Sequence, residues 1–239
     1  MKRMLLFFAT MWLGIMGASA QSYHYDVNND GEVNINDVVA LVNKILGKTN
    51  PGEVVVGEAV DLGLPSGTKW ANCNVGATKP EEYGGYYAWG ETEEKEVYSD
   101  DTYMYYKNGE YINIGSDISG TEYDVAHVKW GGNWCMPTAD DIQELRENCT
   151  YEWTTLNGVN GMKFTSNING NSIFLPAAGY RWDGDLYYAG EGGYYWSSAQ
   201  NPDDSYYAYN LYFYSYYAYW NNGGRSGLRY SEQSVRPVR

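Results

Sequence analysis

Residues 206–219 read YYAYNLYFYSYYAY, eight tyrosines in fourteen positions. Aromatic side chains favour a pleated, half-buried surface, and successive side chains of a strand point to opposite faces. Tyr209, Leu211 and Phe213 then share one face, expected in the core, while Asn210, Tyr212 and Tyr214 share the other. The second set continues through Tyr216, Tyr217, Tyr219, Asn221, Asn222 and Arg225 and is expected to face water. The chain carries 26 tyrosines, more than a small domain is expected to bury with every hydroxyl satisfied. Exposed Tyr among Ser, Asn, Gly and Arg is also the composition of antibody binding surfaces, where the phenol gives rigid amphipathic area at low entropic cost. The five tyrosines from Tyr212 to Tyr219 are expected to supply contact area, and Asn221, Asn222 and Arg225 hydrogen bonds, to a protein or glycan ligand.

The body around this run, residues 56–239, is rich in turn signals and poor in helical periodicity. Candidate strands are Lys69–Asn72, Tyr86–Trp89, Met162–Ser166, Ser172–Pro176, Tyr194–Ser197, Ala208–Phe213 and Ser234–Val238. Asn157-Gly158, Asn160-Gly161, Asn169-Gly170-Asn171 and Asp183-Gly184-Asp185 punctuate them. The clearest helix runs from Thr138 to Asn148. Thr138 is a good N-cap, Asp140 and Asp141 sit where the helix dipole favours anions, and Ile142, Leu145 and Cys149 share a face. One helix among many short antiparallel strands predicts an α+β fold. Trp70, Trp89, Trp130, Trp134 and Trp196 lie in Gly-rich strings and are expected in the core. Arg236, between Val235 and Pro237, is expected in a structural ion pair.

The N-terminus reads as an export signal. Lys2 and Arg3 precede an apolar stretch from Met4 to Met16, and Ala18-Ser19-Ala20 is a small-residue cleavage site, so residues 1–20 are set apart and the mature chain is expected to be secreted or displayed at the cell surface. No other segment is long enough to span a bilayer, so no membrane insertion is expected after cleavage. The net charge of −14 argues against nucleic acid and anionic lipid as partners. Of three cysteines at least one must lack an intramolecular partner. Three single pairs can be drawn, and Cys73 with Cys149 is favoured, leaving Cys135 as a small buried hydrophobe.

Residues 21–48 contain a twelve-residue loop with calcium-ligand types at calcium spacing. Asp26, Asn28 and Asp30 take positions 1, 3 and 5, and Gly31 the sharp turn at position 6. Glu32 offers its carbonyl at position 7, Asn34 takes position 9 and Asp37 position 12. Val38, Val39, Leu41, Val42, Ile45 and Leu46 follow as an apolar helix face ended by Gly47. Residues 49–55 read as a linker with an Asn50-Pro51-Gly52 turn.

This loop and helix, with the Ile45-Leu46-Gly47 ending, resemble one half of a type I dockerin repeat, which implies calcium and a possible cohesin-like partner. In the body, VDLGLPSGTKWANCNVGA (60–77), YGGYYAWGE (83–91), AHVKWGGNWCMPT (126–138), FLPAAGYR (174–181), GYYWSSA (193–199) and SVRPV (234–238) resemble the major paralogous domain of Bacteroidetes and Fibrobacter secreted proteins. That resemblance implies a C-type-lectin-like fold, similar to formylglycine-generating enzymes and to retroelement-diversified variable proteins. The enzymes depend on a late cysteine pair, and no cysteine follows Cys149, so no catalysis is expected. The variable proteins place their changing residues in the region of the tyrosine run. The reading that results is a secreted, non-catalytic binding protein. An accessory role in extracellular polysaccharide degradation, through the dockerin-like repeat, and a structural surface or fimbrial subunit are the alternatives.

Overall fold

The chain divides into two compact units, Met1–Glu53 and Val54–Arg239. A computed structural model describes residues 57–220 and 227–239, together with Val38 and Leu41, with backbone only for 218–220. The expected export signal, the linker and the calcium residues Asp26, Asn28, Asp30, Glu32, Asn34 and Asp37 lie outside the described residues. In the first unit Val38 and Leu41 are helical and exposed.

The second unit is built from short antiparallel pairs. β1 (Ala59–Val60) pairs with β2 (Trp70–Ala71), and β3 (Tyr87–Ala88) lies at the edge of a later sheet. β4 (Tyr106–Lys107) and β5 (Glu110–Tyr111) form a small hairpin. Two α-helices follow, Val125–Trp130 and Ala139–Asn148. β6 (Cys149–Leu156), β7 (Val159–Ser166) and β8 (Ser172–Pro176) make a three-stranded meander. β9 (Tyr180–Trp182) and β10 (Asp185–Tyr187) make a hairpin. β11 (Gly192–Gln200), β12 (Tyr207–Tyr214) and β13 (Tyr217–Trp220) make a second meander, with β14 (Gly227–Leu228) also on β12. β15 (Glu232–Gln233) joins β9 to β3.

The α+β expectation is therefore corrected. Among the described residues the domain is mainly β, a set of small antiparallel sheets, and its two α-helices have six and ten residues. Turn chemistry explains the bias. Asn108-Gly109, Asn157-Gly158 and Asp183-Gly184 each place two successive residues at positive φ. That is the backbone of a tight hairpin turn whose twist matches the flanking strands. The longer helix begins as its sequence predicts: the Thr138 hydroxyl accepts from Asp141 N, and Asp141 reaches back to Thr138 N. The Val125–Trp130 helix had no sequence expectation. The Asp124 carboxylate starts it by accepting from Ala126 N and His127 N, and it also ties down Met136 N and Gly120 N.

Two apolar clusters hold the sheets together. One joins Leu62, Trp70, Ile142, Leu145, Phe164, Leu175, Leu211 and Phe213. The other joins Val75, Trp89, Val125, Met136, Trp196 and Val235. Trp70, Trp89, Trp134 and Trp196 are buried as expected, and Trp130 packs at the margin. A third cluster is built on Tyr98, Tyr103 and Ala88, with Tyr105, Tyr106, Tyr111 and Tyr230 against it. The expectation that so many phenols could not be buried is thus only partly met. Tyr86, Tyr103 and Tyr195 are buried because each hydroxyl donates to a backbone carbonyl, of Ala178, Trp89 and Pro176 respectively.

Three smaller expectations are also corrected. All three cysteines are free. The Cys73 thiol donates to Ala77 O, whereas Cys149 opens β6 inside the first cluster. Arg236 has no carboxylate partner among the described residues. Its guanidinium is fully buried and donates to Asn74 Oδ1, Ala71 O and Phe174 O, neutral acceptors that need no second buried charge. Ser234–Val238 is extended but forms only single bridges, Ser234 to Tyr195 and Val238 to Trp70 and Cys135.

Candidate ligand-binding cleft

β12 is the centre of the site. Its pairing with β11 sets Tyr194 opposite Tyr212 and Gly192 opposite Tyr214. Its pairing with β13 sets Tyr217 opposite Tyr214 and Tyr219 opposite Tyr212. The period of two therefore gathers Tyr194, Asn210, Tyr212, Tyr214 and Tyr217 on one face. Leu211 and Phe213 face the first core cluster on the other side.

The aromatic face does not open to bulk solvent across its whole area. The β9–β10 hairpin and the turn after it stand over its edge. Tyr180 meets Tyr194 edge to face at 4.9 Å, and Tyr188 meets Tyr214 edge to face at 5.7 Å. The Tyr194 and Tyr214 hydroxyls are hydrogen-bonded to each other, and the Tyr194 and Tyr212 rings stack at 6.0 Å. Edge-to-face and offset pairs of this kind rigidify an aromatic wall and add to its burial energy. Burial raises the Tyr194 and Tyr214 phenols above their ordinary range, so both are neutral at physiological pH.

Between these walls lies a cleft of about 620 Å³. Tyr180, Trp182, Tyr188, Tyr194, Tyr207, Tyr212, Tyr214, Tyr216 and Tyr217 line it, with Asn210, Ser231, Gln233, Gly227 and Leu228. That volume falls in the range of compact-ligand sites, roughly 300–1,000 Å³. Among the described residues its lining contains no Asp, Glu, Lys, Arg or His. The polar groups sit together. Asn210 Nδ2 donates to Gln233 Oε1 at 2.9 Å, and Asn210 Oδ1 is a buried acceptor with no donor. Gly227 has to be glycine here, because a Cβ would collide with the Gln233 amide and the Trp196 ring.

The residues expected from the sequence divide three ways. Tyr212, Tyr214, Tyr216 and Tyr217 line the cleft. They are not uniformly exposed, as expected for an open face: Tyr212 is buried, Tyr214 and Tyr217 are half-buried, and Tyr216 is 78% exposed. The reason is mutual cover: Tyr194 and Tyr217 lie against Tyr212, and Tyr188, Tyr194 and Tyr217 against Tyr214. Tyr219 lies on β13 with only its backbone described, and Asn221, Asn222 and Arg225 lie outside the described residues. Sequence reasoning missed Tyr180, Trp182, Tyr188, Asn210 and Gln233 as lining residues. A signal for the first three is present in the chain: Asp183-Gly184 marks a turn, and the aromatic segments Tyr180-Arg181-Trp182 and Asp185-Leu186-Tyr187 on either side of it are its strands.

Among the described residues no group of three or more His, Cys, Asp or Glu is placed to hold a metal. None of the described helices is long and apolar enough to cross a membrane. In comparison with known proteins, no family model, no curated protein and no solved structure matches the chain.

Proposed function

We propose that this chain is a secreted, non-catalytic binding protein, and that its tyrosine-lined cleft between β12 and the β9–β10 hairpin holds a protein segment or a glycan. One observation carries the reading: a concave site of about 620 Å³ walled by tyrosines from several strands and free of charged lining. Natural domains rarely leave a concave aromatic surface unused, because exposed contiguous apolar area invites association. Tyrosine suits binding here, since its flat face offers area and its hydroxyl remains able to hydrogen-bond. The walls are also held by one another before any ligand arrives, which lowers the ordering cost of binding. The export signal and the resemblance to secreted major paralogous domains support the same reading from the sequence.

The test replaces Tyr214, Tyr216 and Tyr217 by Ala and measures capture on glycan and cell-surface protein arrays. Binding should fall by at least about tenfold, the loss of about 1.4 kcal/mol, with circular dichroism unchanged. Unaltered capture by a folded triple variant would place the site elsewhere.

A further inference from the structure

We infer that the cleft takes a neutral saccharide and holds it without a metal ion; this deepens the ligand-binding reading above and rests on it. Shape comes first. A protein epitope needs a broad surface, on the order of 800 Å² per partner. The site here is instead a pocket of compact-ligand volume, lined by Tyr188 and Trp182 from the β9–β10 region and by Tyr214 and Tyr216 from the meander.

Charge comes second. No ionised side chain stands among the described lining residues, and the chain as a whole carries −14. An acidic ligand would meet a repelling field with no counter-charge in the lining, and a cationic one would find no carboxylate there. A nonionic ligand meets neither penalty. A cation bridging ligand to protein would need hard oxygen ligands, and carboxylates are missing from this lining.

The polar groups come third. Asn210 is only 4% exposed, and its Oδ1 receives no hydrogen bond while its Nδ2 is committed to Gln233. A buried acceptor without a donor destabilises the state that contains it. An apolar ligand would leave that deficit in place, whereas a hydroxyl donor at the amide pair removes it once the Asn210 side chain turns its Oδ1, now closed to solvent, toward the cleft. The ligand therefore combines flat apolar faces, to lie on Trp182 and the phenol rings, with outward hydroxyls. Uncharged sugar rings have both, with C–H groups on their faces and hydroxyls around their edges.

The experiment is isothermal titration of the mature chain with neutral gluco-, manno-, xylo- and N-acetylglucosamine oligosaccharides, oligogalacturonate of equal length and an uncharged peptide. Each titration is run with calcium and with a chelator. At least one neutral oligosaccharide should bind, with affinity unchanged by the chelator and oligogalacturonate weaker by about tenfold or more. Trp182→Ala, at a residue 43% exposed and so tolerant of truncation, should weaken that binding by about tenfold or more. Asn210→Leu should do the same by removing the amide pair. Absence of binding to every neutral oligosaccharide, equal affinity for oligogalacturonate, dependence on calcium, or indifference to Trp182→Ala would each overturn the inference. A protein or peptide ligand that is bound while saccharides are not, and is lost in the Tyr214, Tyr216, Tyr217 variant, would overturn the saccharide assignment and keep the binding cleft. Loss of both would remove the cleft as a site.

Discussion

Glu232 on β15 lies directly opposite Arg181 on β9, between the cleft-lining residues Ser231 and Gln233. It is fully buried, and no described donor meets its carboxyl oxygens in good hydrogen-bond geometry, the Tyr98 phenol being the one that approaches them. Burial pushes its pKa from 4.5 to about 8, with the Arg181 charge and the Tyr98 phenol acting in the opposite sense and Glu94 reinforcing the rise. The folded state therefore keeps a proton that the unfolded chain releases near pH 4.5. Stability on this account is highest below that pH, declines as pH rises from about 4.5 to about 8, and is level above. Glu232→Gln removes the decline. Unfolding free energies of the two proteins from urea titration should agree closely at pH 5 and diverge by pH 9 in favour of the variant, by on the order of 1–3 kcal/mol. A gap that does not widen with pH would mean that the carboxyl is ionised in the fold.

The cysteines should behave as free thiols, two buried and Cys135 half-buried. Burial raises Cys73 and Cys135 above the ordinary thiol range and Cys149 to about 11, so little thiolate is present near neutrality. Reductant should leave the melting temperature unchanged to within about 1 °C. Iodoacetamide at pH 8 should modify the folded protein slowly and all three sites only in denaturant, read by intact mass. A mass two hydrogens short in non-reducing conditions would restore the disulfide expected from the sequence.

Local sequence signals reached the hairpins and one strand face, and stopped where pairing is decided at long range. Thr138 and Asp141 mark a helix start by adjacency alone, and the Asn157-Gly158 turn fixes the β6–β7 hairpin. The alternation in 206–219 separated Leu211 and Phe213 from Tyr212 and Tyr214, but Tyr209, expected in the core, is only half-buried, and Asn210, expected to face water, is buried. The alternation could not say that Tyr212 would be covered, because the cover comes from Tyr194 and Tyr217 on the two neighbouring strands. Gln233 belongs to the floor through a partner 23 residues away. Tyr103 and the partly buried Tyr111 were invisible as a cluster for another reason: phenols on polar segments look exposed until Arg229 is placed against both rings.

Tyr188 is the next test, because its backbone conformation is unfavourable for its side chain. Its φ is +56°, and the Glu191 and Gly192 amides donate to its carbonyl and hold the turn after β10. A bulky L-residue in this region costs about 1–2 kcal/mol relative to its preferred conformations. The fold tolerates that cost at a ring that lies in the cleft beside Tyr180, Tyr194 and Tyr214. Asn accepts the left-handed conformation more readily. Tyr188→Asn should therefore melt within a few degrees of the parent, because relief of backbone strain offsets the missing ring packing, while ligand affinity falls several-fold. A large drop in melting temperature would assign the ring to the core rather than to the site.

Arg229 tests how the cleft rim is anchored. Its guanidinium is fully buried, 4.8 Å from the Trp89 ring and 5.5 and 5.4 Å from Tyr103 and Tyr111. Nε donates to the Tyr103 hydroxyl, and the two terminal nitrogens donate to Ser205 O and Ile112 O. It forms no salt bridge with any described carboxylate. The planar fork thus ties three separate segments to the turn carrying Leu228 and Ser231, both on the cleft. Lys keeps the charge but loses the fork and the flat stacking surface. Met removes the charge and keeps most of the volume. A buried charge stripped of its hydrogen bonds costs more than an apolar replacement. Arg229→Lys should therefore be the less stable variant, by on the order of 3 kcal/mol against the parent, with Arg229→Met between them. Chemical denaturation ranks the three proteins. The reverse order would mean that positive charge itself, and not the geometry of the guanidinium, holds the aromatic cluster around it.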